Sequence, residues 1–289
     1  RIQKPAGGPA HQGGASTPAD PAMQPRSPHQ STILGTHRRS ADLGCARLLD
    51  VSYHGGLYQP AHAHARASIT VILTGAVEER SSEGDAVAGP MAVLVKPAGA
   101  MHADRYGPSG VRTIALDLGP DLALACGLAE NAGAAAVRTN APLLAASLLR
   151  LRGAIDGPDA QVQPALNLIR DEARMLAGRD SDIQPPDWIR AIRAELAHPD
   201  APSIAEVARK WGVHPVSLTR AYRRRFGQAP SAQARAARAL HAAARIVGTA
   251  HPLARIAVEV GFADQSHMTR DLSSLLGWTP GRLRIMAAV

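Results

Sequence analysis

Cysteine is nearly absent from this chain. Cys45 and Cys126 are the only two, far apart and with no metal-ligand spacing. That excludes a disulfide scaffold and a cysteine-held zinc module, and it fits two small buried hydrophobes in a reduced, cytoplasmic setting. Long apolar runs are missing too: none reaches membrane-spanning length, so no transmembrane helix is expected. Residues 1–30 have no apolar core of the kind a secretory signal needs. They hold six prolines, four glycines and no aromatic residue, which cannot bury a core, and disorder is expected there. A net charge is also lacking over most of the chain. Residues 1–185 carry 17 basic and 17 acidic side chains, whereas residues 186–289 carry 15 Lys+Arg against 7 Asp+Glu. The whole excess of +8 therefore lies in the last third, as contact with phosphates requires.

That last third contains one unit written twice. Ile204, Val207, Ala208 and Trp211, followed by Gly212, recur as Leu253, Ile256, Ala257 and Val260, followed by Gly261. Each set has the i, i+3, i+4, i+7 spacing of one buried helix face and ends on a glycine that can turn the chain. Arg220, Gly227 and Pro230 recur as Arg270, Gly277 and Pro280. Helix, glycine turn and second helix make the pattern of a helix-turn-helix, whose second helix enters a DNA major groove. The ends agree with it. Ser203 to Glu206 is a capping box, Pro215 suits the first position of a helix, and Asp264 suits an N-cap.

Each second helix divides into two faces. Leu218, Ala221, Tyr222 and Phe226 form the inward stripe of the first, and Met268, Leu272, Leu275 and Leu276 that of the other. Val216, Ser217, Thr219, Arg220, Arg223 and Arg224 are the candidate DNA-contacting residues of the first. Gln265, Ser266, His267, Thr269 and Arg270 are those of the second. Arginine pairs with guanine edges, glutamine with adenine, and Thr or Val can touch the thymine methyl. Arg224 and Arg225, at the end of the first, suit the phosphate backbone. Between the units, residues 231–247 read as an Ala-rich linker helix of roughly 25 Å. That can set two recognition helices about one DNA turn, roughly 34 Å, apart.

Residues 186–286 resemble the DNA-binding domain of the AraC/XylS family of bacterial transcription regulators. The run from Gly261 to Arg270 is very close to that family's second helix-turn-helix, and Gly277 to Pro280 with Leu283 and Arg284 matches its closing motif. There are departures: the family usually has Phe where Met268 and Leu272 stand, and hydroxyl and aromatic residues where Ala229 and Gln233 stand. The resemblance implies a sequence-specific regulator, not an enzyme, that binds double-stranded promoter DNA, is a homodimer, and has a small-molecule effector and RNA polymerase as further partners.

Residues 31–120 read differently. Ser68 to Leu73, Met91 to Val95 and Val111 to Leu118 are strand patterns broken by Gly and Pro, which suggests a small β-barrel or sandwich. Gly56, His62, His64 and the run Pro97 to His102 are similar to the two motifs of the cupin barrel. That resemblance implies three histidines and a glutamate around a metal, but Ser68 stands where the glutamate belongs. Three imidazoles can hold a divalent metal with an open position. The competing expectation is a metal-free ligand pocket or a structural role.

Residues 121–180 read as helical. Leu144, Leu148, Leu151 and Ile155 form one stripe, and Val162, Leu166, Ile169, Ala173 and Leu176 another, separated by Gly157 and Pro158. They can pack on each other, on the barrel or on a second subunit; the family resemblance favours a dimer. Residues 178–186 read as a linker.

The expected fold is thus α+β: a disordered segment 1–30, a cupin-like sensor barrel 31–120, a helical dimerisation segment 121–180, and an all-α domain 181–289 with two helix-turn-helix units. The rival reading is a metal-dependent cupin enzyme with an accessory DNA-binding domain, resting on His62, His64 and His102.

Overall fold

The structure, a computed structural model, describes residues 34–82, 84–129, 136–138, 141–155, 161–176 and 187–287. The expectations for residues 1–30, for Gly157 and Pro158, and for a linker at 178–186 fall outside these.

The N-terminal half is two antiparallel sheets. Six strands, β1 (Thr36–Asp42), β2 (Ala46–Tyr53), β4 (Ser68–Thr74), β7 (Val93–Lys96), β9 (Val111–Leu118) and β10 (Ala136–Arg138), pair in the order β1-β2-β9-β4-β7-β10. The other four, β3 (Tyr58–His62), β5 (Val77–Ser81), β6 (Gly84–Ala88) and β8 (His102–Tyr106), pair as β3-β8-β5-β6. The three strand patterns read from the sequence are β4, β7 and β9. β10 was not anticipated. It lies where only helix was expected and pairs with β7, through Val137 opposite Leu94.

Alternation along the strands gives the larger sheet two different faces. Ile69, Val71, Ile114 and Leu116 are fully buried on the face that packs against helices. Ser68, Thr70, Thr113 and Asp117, their neighbours in sequence, line a cavity between the sheets. Leu49, Val51, Leu94 and Ala115 share that side, so the period-2 alternation sets a wholly apolar face against one that mixes apolar and polar residues.

Helices α1 (Pro120–Ala125), α2 (Pro142–Ala154) and α3 (Val162–Leu176) cover the outer face. Leu144, Leu148 and Leu151 of α2 and Leu166, Ile169 and Ala173 of α3 are all buried in one core shared with the sheet. Both stripes are therefore covered within the chain. Of the three coverings the stripes allowed, each other, the barrel or a second subunit, the folded chain uses the first two.

The C-terminal part is all helix: α4 (Asp187–Leu196), α5 (Ile204–Lys210), α6 (Pro215–Phe226), α7 (Pro230–Gly248), α8 (Leu253–Glu259), α9 (Gln265–Leu276) and α10 (Pro280–Ala287). The local signals hold. Ser203 and Glu206 form a complete capping box on α5, Pro215 opens α6, and the Asp264 carboxylate accepts from the His267 backbone N–H at 2.6 Å. Gly212 and Gly261 make the turns at φ 63° and 78°, a region where a side chain would be strained. Helices α4 to α6 enclose a core of their own, with Ile192, Leu196, Val207, Leu218 and Tyr222 inside. Helices α7 to α10 share the core of α2 and the larger sheet. The chain is thus of mixed α+β class, antiparallel sheets followed by a helical domain. Among the described residues no helix is long and apolar enough to cross a membrane.

Candidate nucleic-acid interface and ligand pocket

On α6 the apolar stripe Leu218, Tyr222 and Phe226 is buried, and on α9 Met268, Leu272 and Leu276 are fully so. Met268 and Leu272, at the positions where Phe is usual, leave the packing intact. The opposite faces carry the expected residues. Val216, Ser217, Arg220, Arg223 and Arg224 are exposed, and Thr219 is half-buried. Gln265, Ser266 and Arg270 are exposed, while Thr269 is half-buried. His267 sits differently. Its ring meets the Phe262 ring edge-on at 5.2 Å, and Nε2 lies 3.9 Å from the Asp271 carboxylate. The side chain is nonetheless 40% exposed.

Both helices are locked from behind. Asp271, buried on α9, accepts from Arg235 of α7 at 2.7 Å. Tyr222 is buried against Phe226, with ring centroids 4.5 Å apart, and Arg193 of α4 stacks over Phe226 at 4.8 Å. Ala229, where a hydroxyl residue is usual, gives α7 no side-chain cap. Gln233 is buried and its amide has no protein partner.

The three histidines converge in the N-terminal half. Ring centroids of His62, His64 and His102 lie 4.3–5.0 Å apart, and one ligand atom from each falls within 4.8 Å of the others. Backbone carbonyls set two of the tautomers. His62 Nδ1 lies 2.8 Å from the Pro60 oxygen and His102 Nδ1 3.0 Å from that of Ala100. A carbonyl only accepts, so Nδ1 carries the proton and Nε2 presents its lone pair. Both Nε2 atoms are buried without a hydrogen-bond partner. Burial, followed by the nearby Lys96 ammonium, holds His64 at about 4 and His102 at about 2; burial also lowers His62. All three are neutral at pH 7, the form that ligates a metal. Ser68 offers no carboxylate. Asp104, 3.7 Å from His102 Nε2, is engaged elsewhere.

That engagement is a feature the sequence did not reveal. Lys96 is buried between Glu79 at 2.9 Å and Asp104 at 2.9 Å. Burial disfavours its charge, but the two carboxylates outweigh this and raise its pKa, while Lys96 holds Asp104 low against the opposing effect of burial. Lys96 and Asp104 line the cavity, of about 230 Å³, with Gln59, His64, Thr113 and the stacked pair Tyr53 and Tyr106, whose centroids are 4.1 Å apart. Of the three histidines only His64 lines it. Strand register creates this cluster, since β5 and β8 pair Glu79 opposite Asp104.

Residues 207–285 match a family model described as a helix-turn-helix domain, and this part of the chain is a helix-turn-helix DNA-binding domain. Similar solved structures include ToxT from Vibrio cholerae O395, at 8% identity, covering 84% of this chain and 98% of that one, with a TM-score of 0.38. The AraC-like transcriptional activator CuxR is similar at 15% identity over 63% of this chain and 72% of that one, TM-score 0.39. The C-terminal domain of AraT, a response regulator from Geobacillus stearothermophilus, is similar at 24% identity, covering 36% and 88%, TM-score 0.32. No curated protein matches the chain.

Proposed function

We propose that this protein is a sequence-specific transcription regulator that reads promoter DNA with α6 and α9 and responds to an effector held between its two sheets. The observation that carries it is the doubled unit: two helices, each capped, each locked from behind, each presenting an exposed arginine, Arg220 or Arg270, at the matched place. We read α5–α6 and α8–α9 as two helix-turn-helix units within residues 181–289. Residues 31–120 are read as a cupin-like sensor barrel and 121–180 as its helical cover. Val216, Ser217, Thr219, Arg220, Arg223, Gln265, Ser266, His267, Thr269 and Arg270 face the DNA, and Arg224 serves phosphates; the His267 side chain, beside Phe262 and Asp271, is still 40% exposed.

The cavity supports the effector reading. It is partly open, its walls mix polar groups with Leu49, Val51 and Leu94, and it carries fixed charges in Lys96 and Asp104. The histidine cluster supports a divalent metal beside it. His62, His64 and His102 would hold the ion, and when bound it would offer an open position to an effector oxygen or nitrogen. Elemental analysis of the purified protein against a His62→Ala/His102→Ala variant tests this: loss of a stoichiometric metal supports it, and absence of metal from both leaves a metal-free pocket. The same measurement weighs the rival enzyme reading, for which the helix-turn-helix domain would be an accessory. A homodimer, contact with RNA polymerase and a cytoplasmic location complete the reading on the family resemblance. Footprinting on a selected operator tests the whole: protection of a defined sequence supports it, and uniform coverage of unrelated DNA overturns it.

A further inference from the structure

The two helix pairs are attached to the rest of the chain in different ways. The second is fused to the sheet domain. Trp278, after α9, is fully buried and its Nε1 donates to the Leu149 oxygen of α2 at 2.8 Å. Arg112 of β9 donates to the Met286 oxygen of α10 at 2.6 Å, and its other nitrogens clasp Asp50 of β2 at 3.0 Å. One apolar core runs from the larger sheet through α2 into α9. The first pair has a separate core. Among the described residues it meets the body along α7, where Ala234 packs on its core, and at α3, where Met175 packs on that core beside a polar anchor. There Glu172, 1% exposed, accepts from Arg193 of α4 at 2.5 Å and from Gln228, just past α6, at 3.1 Å. Arg193 also lies over Phe226, the last residue of α6, and reaches Met175 Sδ at 3.2 Å. A carboxylate this buried is stabilising only where both its oxygens are engaged, and here both are.

We propose that Glu172 is a positioning residue: from α3 it pins the first helix pair to the body that carries the second, and thereby fixes the distance between the DNA-facing sides of α6 and α9. The protein then reads the spacing of two half-sites as well as their bases. This rests on the reading that both helices enter DNA. Helix α7 alone is a single rod with a small-residue face, Ala236, Ala239, Ala242 and Ala243, toward the second core. It sets a length, but the pin at Glu172 adds a second point of attachment, and two points are needed to stop one body turning about the other.

The test uses the full chain and duplexes carrying its selected operator, with one or two base pairs inserted or removed between the half-sites. One base pair shifts a half-site by about 3.4 Å and turns it around the helix axis. The wild-type protein is expected to lose at least about tenfold in affinity on such a duplex, the size of a base mismatch. Glu172→Ala is expected to cut that penalty to about threefold or less. Gln228→Ala, which removes one donor from the half-buried rim and is the safer variant to fold, is expected to fall between. A merely structural role would weaken all spacings alike. An unchanged penalty in Glu172→Ala, or in Gln228→Ala should the first fail to fold, overturns the proposal alone. A wild-type protein indifferent to spacing instead overturns the two-helix reading, and the proposal with it.

Discussion

Arg224 stands one turn beyond Arg220 on α6, near the C-terminal end, and is exposed. Base edges are met mostly by the N-terminal part of a recognition helix, which leaves Arg224 to the phosphates. Arg224→Ala is therefore expected to weaken operator and scrambled DNA alike and to lower the log–log salt slope by about one. Titration at several salt concentrations checks it; a loss confined to the operator would make Arg224 a base reader. Lys96 gives a second residue-scale prediction. Lys96→Met leaves Glu79 and Asp104 buried together without their shared cation. Destabilisation of about 3–5 kcal/mol is expected in denaturant unfolding, and an unfolding midpoint equal to wild type would refute the ion-pair account. These two residues differ in how legible they were. Arg224 lies in a helix whose faces follow from local spacing. The partners of Lys96 come from two other strands, brought opposite by register, and no local signal announces them.

At the scale of elements, the helix pairs were legible because their signals are local: caps, turn glycines and a 3.6-residue stripe. Ser203, Pro215, Asp264, Gly212 and Gly261 each act where the sequence places them. The stripes of α2 and α3 were legible as stripes, but not their partners, because an apolar face does not say what will cover it. β10 was missed since three residues carry too little pattern to outweigh their Ala-rich surroundings. One element has a local defect that can be repaired. Helix α7 begins at Ala229 in the extended conformation of an N-cap but without a side-chain acceptor. Ala229→Ser is expected to stabilise the protein by about 1 kcal/mol, read as a higher unfolding midpoint; an unchanged or lower midpoint would show that the cap geometry is not realised.

Over the whole molecule, one strand pair faces both the cavity and the helices packed behind it, α2 and α10. Val51 and Thr113 line the cavity, while their neighbours Asp50 and Arg112 point outward to Arg152 of α2 and to α10. The link spans 62 residues between Asp50 and Arg112 and 102 between Asp50 and Arg152, which is why it was hidden from a reading of local patterns. Asp50→Asn leaves two buried arginines poorly compensated and is expected to cost about 3–5 kcal/mol, measured by urea unfolding. A cost confined to the surface-pair range of about 0–1 kcal/mol would remove the link from the account. The central claim, that this chain reads DNA through two helices, is tested most directly by footprinting Arg220→Ala and Arg270→Ala on an operator selected with the wild-type protein. The account predicts a loss of about 1–3 kcal/mol for each, with preference eroded in one half-site by the first variant and in the other half-site by the second. Wild-type footprints from both variants would contradict it.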